Sequence, residues 1–294
     1  MLKEASSSAD FVAEQLKHEG DRYAELGAHL RAKPPTSVVT VARGSSDHAA
    51  NYAAYLIMAR VGRIVASLPM SLVTLNDAAS PLAQSAEWTM PLHAGPELSV
   101  AATKSFITSL VAGARLAGHW QNDAEFLAAI EQLPESLHAA TKIDWSPAIE
   151  VLQPASRIMV VGRGISFPVA LESALKFKET SVIQAEAFSG AEIKHGPMAL
   201  IHDGYPLLIF ATRGPAQAGL ITLAEEMRGR GANVLLAAPE DVKERNLTLP
   251  VAATPDLDPV VAIQAFYMMA ANLSIARGLD PDKPRHLSKV TKTN

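Results

Sequence analysis

The sequence predicts an α/β protein built from two related halves, each a parallel sheet flanked by helices. Two observations support this. First, short β-branched and apolar runs alternate along the chain with segments of helical periodicity, as in proteins with parallel sheets. Second, a strand, a glycine-containing turn and a helix follow one another twice, at VARGSS (41–46) and at VVGRGIS (160–166).

The elements of the first half follow from apolar periodicity and turn residues. Residues 3–32 have the spacing of one or two amphipathic helices, which Pro34-Pro35 ends. The β-branched run 37–41 predicts a buried strand, because parallel sheets are covered on both faces. The next predicted elements are a helix from His48 to about Arg60, a strand over 63–66, a short helix starting at Ser80-Pro81, a strand over 87–92, a long helix from about Ser99 to Trp120 and a helix from Asp123 to His138.

The second half repeats this order. Its predicted elements are a strand over 157–161, a helix over 168–180, a strand over 206–211, a helix over 217–230, strands over 233–237 and 248–251, and a last helix from Asp258 to before Gly278. Its first and last strands lie 249 − 158 = 91 positions apart, whereas the first half spans only 92 − 39 = 53. Since a βαβ unit takes about 30 residues or more, one such unit is missing near Leu75–Asn76.

Composition limits the class of protein. The 294 residues are 48% hydrophobic and 19% charged, as in globular proteins, and the net charge of −4 offers no basic surface for nucleic acid. The chain has no cysteine, which excludes disulfides, thiolate metal sites and a cysteine nucleophile. The start MLKEASSSAD lacks the pattern of a signal peptide, and polar residues interrupt the apolar run 260–276. We therefore expect a cytoplasmic protein that binds neither nucleic acid nor membrane.

The stretch 170–197, ALESALKFKETSVIQAEAFSGAEIKHGP, is the main candidate for a functional site. Glu172, Lys176 and Glu179 share one helix face, and His195 follows on a loop. The glycine turn before the helix places N–H groups and the positive helix end together, which suits an anion. This combination indicates chemistry on a small phosphorylated molecule. Taken alone, the charged face is more often a solvated stripe joined by weak ion pairs. We interpret His48, His93 and His202 as structural.

Six blocks together resemble the SIS (sugar isomerase) family: ARGSS (42–46), GPELSVAATKSF (95–106), GRG (162–164), ALESALKFKE (170–179), AEAFSGAEIKHGP (185–197) and KPRHLSK (283–289). They are similar to the isomerase half of glucosamine-6-phosphate synthase and, more closely, to stand-alone SIS-type glucosamine-6-phosphate deaminases. The resemblance implies a helical segment (1–35), two SIS-type α/β subdomains (36–145 and 146–278), of which the first is shortened near Leu75–Asn76, and a tail (279–294) that closes over the site.

The resemblance also implies residue roles. Glu179 is expected to move a proton between C1 and C2 of the opened sugar, and Lys289 to close over it. His195 is the expected ring-opening acid/base, contributed across the interface of a homodimer. The implied substrate-binding residues are Gly44, Ser45, Ser46, Val100, Glu172, Lys176, Arg285 and His286.

Three departures from the family pattern bear on function. The serine/threonine-rich phosphate loop of the first half is missing at Leu75–Asn76; either the protein lacks it or the present sequence omits it. A true deletion removes donors worth about 1.5–3 kcal/mol each, and activity is then expected to collapse. His286 stands where the synthases tend to carry asparagine, which favours the deaminases. The glutaminase domain of the synthases is missing, which argues against synthesis.

The expected reaction is isomerisation of glucosamine 6-phosphate coupled to deamination, giving fructose 6-phosphate and ammonia. A carboxylate base, an imidazole acid/base and a lysine charge suffice for it, so we expect no cofactor and no metal. An isomerase that acts without deamination and a non-catalytic sugar-phosphate sensor remain as alternatives.

Overall fold

The computed structural model describes residues 1–68 and 86–289, and parallel sheets flanked by helices form the framework of this part. The predicted α/β class is therefore confirmed. The Leu75–Asn76 junction and the short helix predicted from Ser80 lie outside the described residues. The predicted subdomain boundaries stay predictions.

Helices account for much of the described chain. In order they are α1 (Leu2–Ser6), α2 (Ser8–Leu16), α3 (Gly20–Ala32), α4 (Ser45–Leu56), α5 (Lys104–Gln121), α6 (Ala124–Glu131), α7 (Leu133–Ala140), α8 (Ser146–Leu152), α9 (Phe167–Ser181), α10 (Gln217–Gly229) and α11 (Asp258–Ala276). A π-helical turn, Ile57–Val61, extends α4 to Gly62, and 3₁₀ turns cover Glu192–His195 and Pro197–Leu200.

The strands form one sheet in each half. They are β1 (Ser37–Val41), β2 (Ile64–Leu68), β3 (Arg157–Gly162), β4 (Gln184–Ser189), β5 (Pro206–Phe210), β6 (Asn233–Ala238) and β7 (Leu247–Thr248). β1 pairs with β2, and the second sheet has the order β4-β3-β5-β6-β7; every pair is parallel. The order reverses between β3 and β5, so these two strands open a crevice at their carboxyl ends.

The second sheet is covered on both faces. Ile158 and Val160 of β3 join the apolar cluster that contains Phe177 of α9, while the alternate residue Val161 joins a separate cluster with α10 and Ile193. A T-shaped contact of 5.2 Å between the rings of Phe177 and Phe266 connects α9 to α11. The helix α9 and the segment around Ile193 therefore lie on opposite faces of the sheet.

The first sheet is less covered than predicted. Val39 is 53% and Ile64 73% exposed, so the prediction of a buried strand over 37–41 is right about the strand and wrong about its burial. The other face packs on α4, which in turn contacts α5. Gly113 permits that close approach, because a Cβ there would lie 2.8 Å from the Ala53 Cβ.

Several predicted elements need correction. Residues 87–92 form no strand, although Trp88 and Thr89 favour one by propensity. The predicted helix 123–138 is two helices, because Pro134 starts a new one after Glu131. Residues 3–32 form three helices, and the last strand begins at Leu247 and ends at Thr248. The strand β4 and the helix α8 were not predicted.

The segment Pro255–Ala276, which includes α11, is long and apolar enough to cross a membrane, with a mean hydropathy of 1.5, but its apolar window is 78% buried within the protein. Burial on all sides explains why it is apolar all round. The prediction of a core helix agrees with this packing.

Candidate active site

The turn that opens α4 separates the roles of two neighbouring serines. Gly44 has a φ of +57°, which glycine adopts without strain. The Ser46 hydroxyl donates to the Arg43 carbonyl at 2.7 Å and accepts from its N–H at 3.4 Å, so it stabilises the turn. The Ser45 hydroxyl instead donates to the Glu172 carboxylate at 3.0 Å. The first half thereby contacts α9 of the second half.

Glu172 is fully buried, and four polar groups surround its carboxylate. Its Oε1 accepts from the Ser45 hydroxyl at 3.0 Å and the Tyr267 hydroxyl at 3.0 Å, and lies 3.3 Å from Lys176 Nζ. Its Oε2 lies 2.8 Å from His48 Nδ1. Three helices, α4, α9 and α11, therefore converge on one buried anion.

Lys176 bridges this anion to the surface. It is fully buried, and its ammonium lies 2.5 Å from Glu179 Oε2 and 3.3 Å from the Ser45 hydroxyl. The Glu179 side chain is 20% exposed. The charged face predicted on this helix is thus a connected row rather than a solvated stripe, and its outer carboxylate is partly exposed.

The pKa shifts follow from this geometry. Burial alone raises the pKa of Glu172, but the charge of Lys176 and the hydrogen bonds from His48 and Ser45 outweigh it, so the pKa is lowered. Burial disfavours the Lys176 ammonium, yet the two carboxylates raise its pKa. Burial, and then the charge of Glu172, raise the pKa of Tyr267 well above its usual range. Glu172 and Lys176 are therefore charged, and Tyr267 is neutral, near neutral pH.

The tail reaches the loop before α5. Lys289 Nζ lies 3.2 Å from Glu97 Oε2 and donates to the Ser99 carbonyl at 2.6 Å, next to Val100. Thr103 and Ser105 hold Glu97 through backbone N–H and hydroxyl groups of the first turn of α5, the shortest at 2.6 Å. Burial raises the pKa of Glu97, but these donors and Lys289 lower it overall. A charged carboxylate therefore holds Lys289 beside the loop.

One chain does not bring His195 to Glu179. His195 is exposed at the end of a 3₁₀ turn whose Ile193 packs on the β3 face opposite α9. Glu179, in the last turn of α9, lies on the other face. The sheet separates the two side chains.

Two further predicted residues lie elsewhere. Arg285 lines a cleft with Arg277 and Val182, beyond the end of α9. His286 is exposed with a φ of +61°. Among the described residues, no hydrogen bond or ion pair joins either one to Glu172, Lys176 or Glu179.

Sequence reasoning did not single out two residues of this region, Glu97 and Tyr267, and it interpreted a third, His48, as structural. His48 and Glu172 are 124 positions apart, and Tyr267 and Glu172 are 95. Only the packing of α4 and α11 on α9 unites them. Among the described residues, no cluster of three or more His, Asp or Glu side chains suits a metal ion.

Comparisons with known proteins agree with this architecture. The model of the SIS domain matches residues 151–241. The chain is 34% identical over 237 residues to the glutamine–fructose-6-phosphate aminotransferase (isomerizing) of Zymomonas mobilis. The aligned region covers 74% of this chain but 39% of that protein. The chain thus spans about two fifths of the length of the curated relatives it matches.

Solved structures extend the likeness to 96% of this chain. A structure from Silicibacter pomeroyi, assigned as a phosphosugar isomerase, is 36% identical with a TM-score of 0.89, covering 96% of this chain and 99% of that one. The glucosamine-6-phosphate deaminase of Thermotoga maritima shares the fold, with a TM-score of 0.68 and 22% identity over 96% of this chain and 98% of that one.

Proposed function

Because this chain belongs to the SIS-domain family of phosphosugar isomerases, we propose that it isomerises glucosamine 6-phosphate and releases ammonia, giving fructose 6-phosphate. The cytoplasm, where phosphorylated sugars are metabolised, is its proposed location.

The charge balance around Lys176 carries this proposal. The carboxylates of Glu172 and Glu179 face the single ammonium of Lys176, so these three side chains together carry a net charge of −1. A protonated amine on the substrate balances that charge, whereas a hydroxyl does not. The site therefore favours a 2-amino sugar over an unaminated hexose phosphate.

The residues suit the proton transfers of this reaction. Glu179 is the proposed base that takes the C2 proton of the opened sugar and returns it to C1, since its carboxylate is partly exposed and oriented by Lys176. The Lys176 charge stabilises the negative charge that develops on the enolate. Water then replaces the C2 nitrogen of the ketose imine, so glucosamine 6-phosphate and water give fructose 6-phosphate and ammonia.

We further propose that two chains share each site. The opposite placement of His195 and Glu179 in one chain supports this, because a second copy is needed to present His195 to the α9 face. In this arrangement His195 opens the ring, Lys289 closes over the sugar, and the turn with Gly44, Ser45 and Ser46 holds the phosphate.

Turnover of glucosamine 6-phosphate by the purified protein tests the proposal, with ammonia and fructose 6-phosphate both quantified. We expect equimolar products, and Glu179→Gln should lower kcat by about 10² or more because it removes the base. Glu225→Gln, an exposed carboxylate of α10, is the control and should leave kcat unchanged. Exchange between glucose 6-phosphate and fructose 6-phosphate without ammonia would identify a plain isomerase. Binding without turnover would identify a sensor.

A further inference from the structure

His48 lies in the first turn of α4, which begins at Ser45, and contacts the buried end of the charged row. Its Nδ1 lies 2.8 Å from Glu172 Oε2, and its side chain is 15% exposed. Ser45 and His48 are three positions apart, on one face of α4. Two groups from the same helical turn thereby hold the same carboxylate.

The two oxygens of Glu172 are not equally supported. Oε1 has three partners, Ser45, Tyr267 and Lys176. For Oε2, His48 is the sole hydrogen-bond partner within the described chain. Because Glu172 is fully buried, no solvent replaces a lost donor at this oxygen, and a buried charged oxygen without a donor is strongly disfavoured.

The position of Lys176 depends on this support. Its ammonium lies 2.5 Å from Glu179 but 3.3 Å from Glu172. The ammonium can lie nearer to the outer carboxylate because the inner one already accepts from His48, Ser45 and Tyr267. Without His48, Glu172 Oε2 has no donor, and Glu172 then competes with Glu179 for the Lys176 ammonium.

We propose that His48 is a positioning residue for the reaction: by satisfying Glu172 Oε2, it leaves Lys176 with Glu179 and so orients the base. This inference rests on the proposed function, in which Glu179 takes the proton. His48 acts through Glu172 and Lys176 and need not touch the sugar.

Two substitutions separate the hydrogen bond from the imidazole itself. His48→Asn keeps a donor nitrogen two bonds from Cβ, where Nδ1 stands, and His48→Leu removes the donor at similar bulk. We expect His48→Leu to lower kcat about tenfold or more with KM changed less than twofold, the size of one charged hydrogen bond. His48→Asn should keep at least about a third of kcat, since the donor is restored. His138→Leu, an exposed histidine of α7, is the control and should leave both constants unchanged.

Crystal structures of the same variants give a readout that does not need activity. In His48→Leu, the Lys176 ammonium should move towards Glu172 and leave hydrogen-bond distance of Glu179, beyond about 3.5 Å. In His48→Asn, both contacts should stay. The proposal is overturned if Lys176 keeps its place in His48→Leu, or if the two variants lose kcat equally. Failure of the wild-type protein to turn over glucosamine 6-phosphate would instead overturn the proposed function, while the Lys176 displacement would still test the role of His48.

Discussion

The first and second strand–turn–helix junctions of this chain have the same backbone design, 120 residues apart. Gly44 and Gly164 have φ angles of +57° and +60°. The hydroxyls of Ser46 and Ser166 each donate to the carbonyl of the arginine three positions earlier, at 2.7 and 3.1 Å. The turn is therefore a repeated structural device, and its geometry alone does not distinguish a functional site.

The side chains differ where the backbones agree. Ser45, after the first glycine, contacts Glu172, whereas Ile165, after the second, is only 8% exposed in the core. At the same spacing of 120 residues, Glu172, Lys176 and Glu179 correspond to Tyr52, Leu56 and Ala59. The charged row thus lies on the face that α9 presents to the first junction, while the matching face of α4 is apolar apart from a Tyr52 hydroxyl bonded to the Asp256 carbonyl.

Replacement of Lys176 by Met should have the largest effect on stability. Breaking a buried ion pair costs about 3–5 kcal/mol, and the equivalent change Leu56→Ala costs about 2–5 kcal/mol through its cavity. The two losses should differ in pH dependence. Lys176→Met removes the largest of the influences that oppose the burial of Glu172. Protonation of Glu172 is then favoured more than in the wild-type protein, so the loss shrinks towards about pH 4. Urea unfolding at about pH 7 and about pH 4 measures the stability losses of Lys176→Met and Leu56→Ala. Equal losses of Lys176→Met at the two pH values would contradict a charged Glu172.

Glu172→Gln tests the same charge through acid unfolding. The pKa of Glu172 is lowered in the folded protein, so its carboxylate stabilises the fold above the unfolded pKa, and this contribution is lost as pH falls through the folded pKa. We expect Glu172→Gln to lose about 2 kcal/mol at neutral pH and to unfold with a weaker acid dependence. Some dependence should remain, because the pKa of Glu97 is lowered as well. Tyr52→Phe, the matching change in the first half, should keep the full acid dependence.

Local spacing predicted the elements and the charged row, because both depend on residues close in sequence. Glu172, Lys176 and Glu179 share a helix face whatever the fold. By contrast, β4 was missed because QAEAFS carries alanines and a glutamate, and only its register with β3, Gly162 opposite Ser189, makes it a strand. Residues 87–92 had the propensity of a strand but pair with none of the strands in the described residues.

The site was predicted in part for the same reason. His48 was interpreted as structural because a lone histidine on a helix carries no signal, and its contact with Glu172 depends on how α4 packs on α9. The glycine turn 162–164, which the sequence analysis proposed as an anion site, is more closely packed than the turn at Gly44. A Cβ on Gly164 would lie 3.3 Å from the Tyr55 hydroxyl, whereas one on Gly44 would have no atom within 4 Å. Long-range packing, which single-sequence patterns do not contain, decides both.

Ser45→Ala and Ile165→Val sharpen the contrast between the junctions. Each should cost about 1 kcal/mol of stability, one through a lost hydrogen bond to Glu172 and the other through a lost methylene. Only Ser45→Ala should also raise KM for the hexose phosphate, because Ser45 belongs to the junction proposed to hold it. Steady-state kinetics and urea unfolding separate the two effects. A raised KM in Ile165→Val would mean that the second junction takes part in binding.

The helices that follow the two junctions, α4 and α9, end differently, so substitutions at their ends are expected to change stability in opposite directions. The π-helical extension of α4 ends at Gly62 with a φ of +69°. The helix α9 ends at the equivalent position, Val182, with a φ of +53°. The left-handed conformation costs a residue other than glycine about 1–2 kcal/mol, and it is least favourable for a β-branched side chain. Arg277 holds this end in place by donating to the Ser181 carbonyl at 2.8 Å.

Val182→Gly should therefore stabilise the protein, the smallest of these effects. Relief of the left-handed conformation exceeds the added entropy of glycine in the unfolded chain, leaving about 0.5–1 kcal/mol, and Val182 is 50% exposed, so little burial is lost. Gly62→Ala should destabilise the protein by about 1 kcal/mol through the end of the π-helical turn that extends α4. Thermal unfolding resolves both as Tm shifts of opposite sign. If both variants lower Tm, the Val182 side chain contributes packing beyond its backbone cost, and the strain at the end of α9 is then balanced locally by the contacts that line the Arg285 cleft.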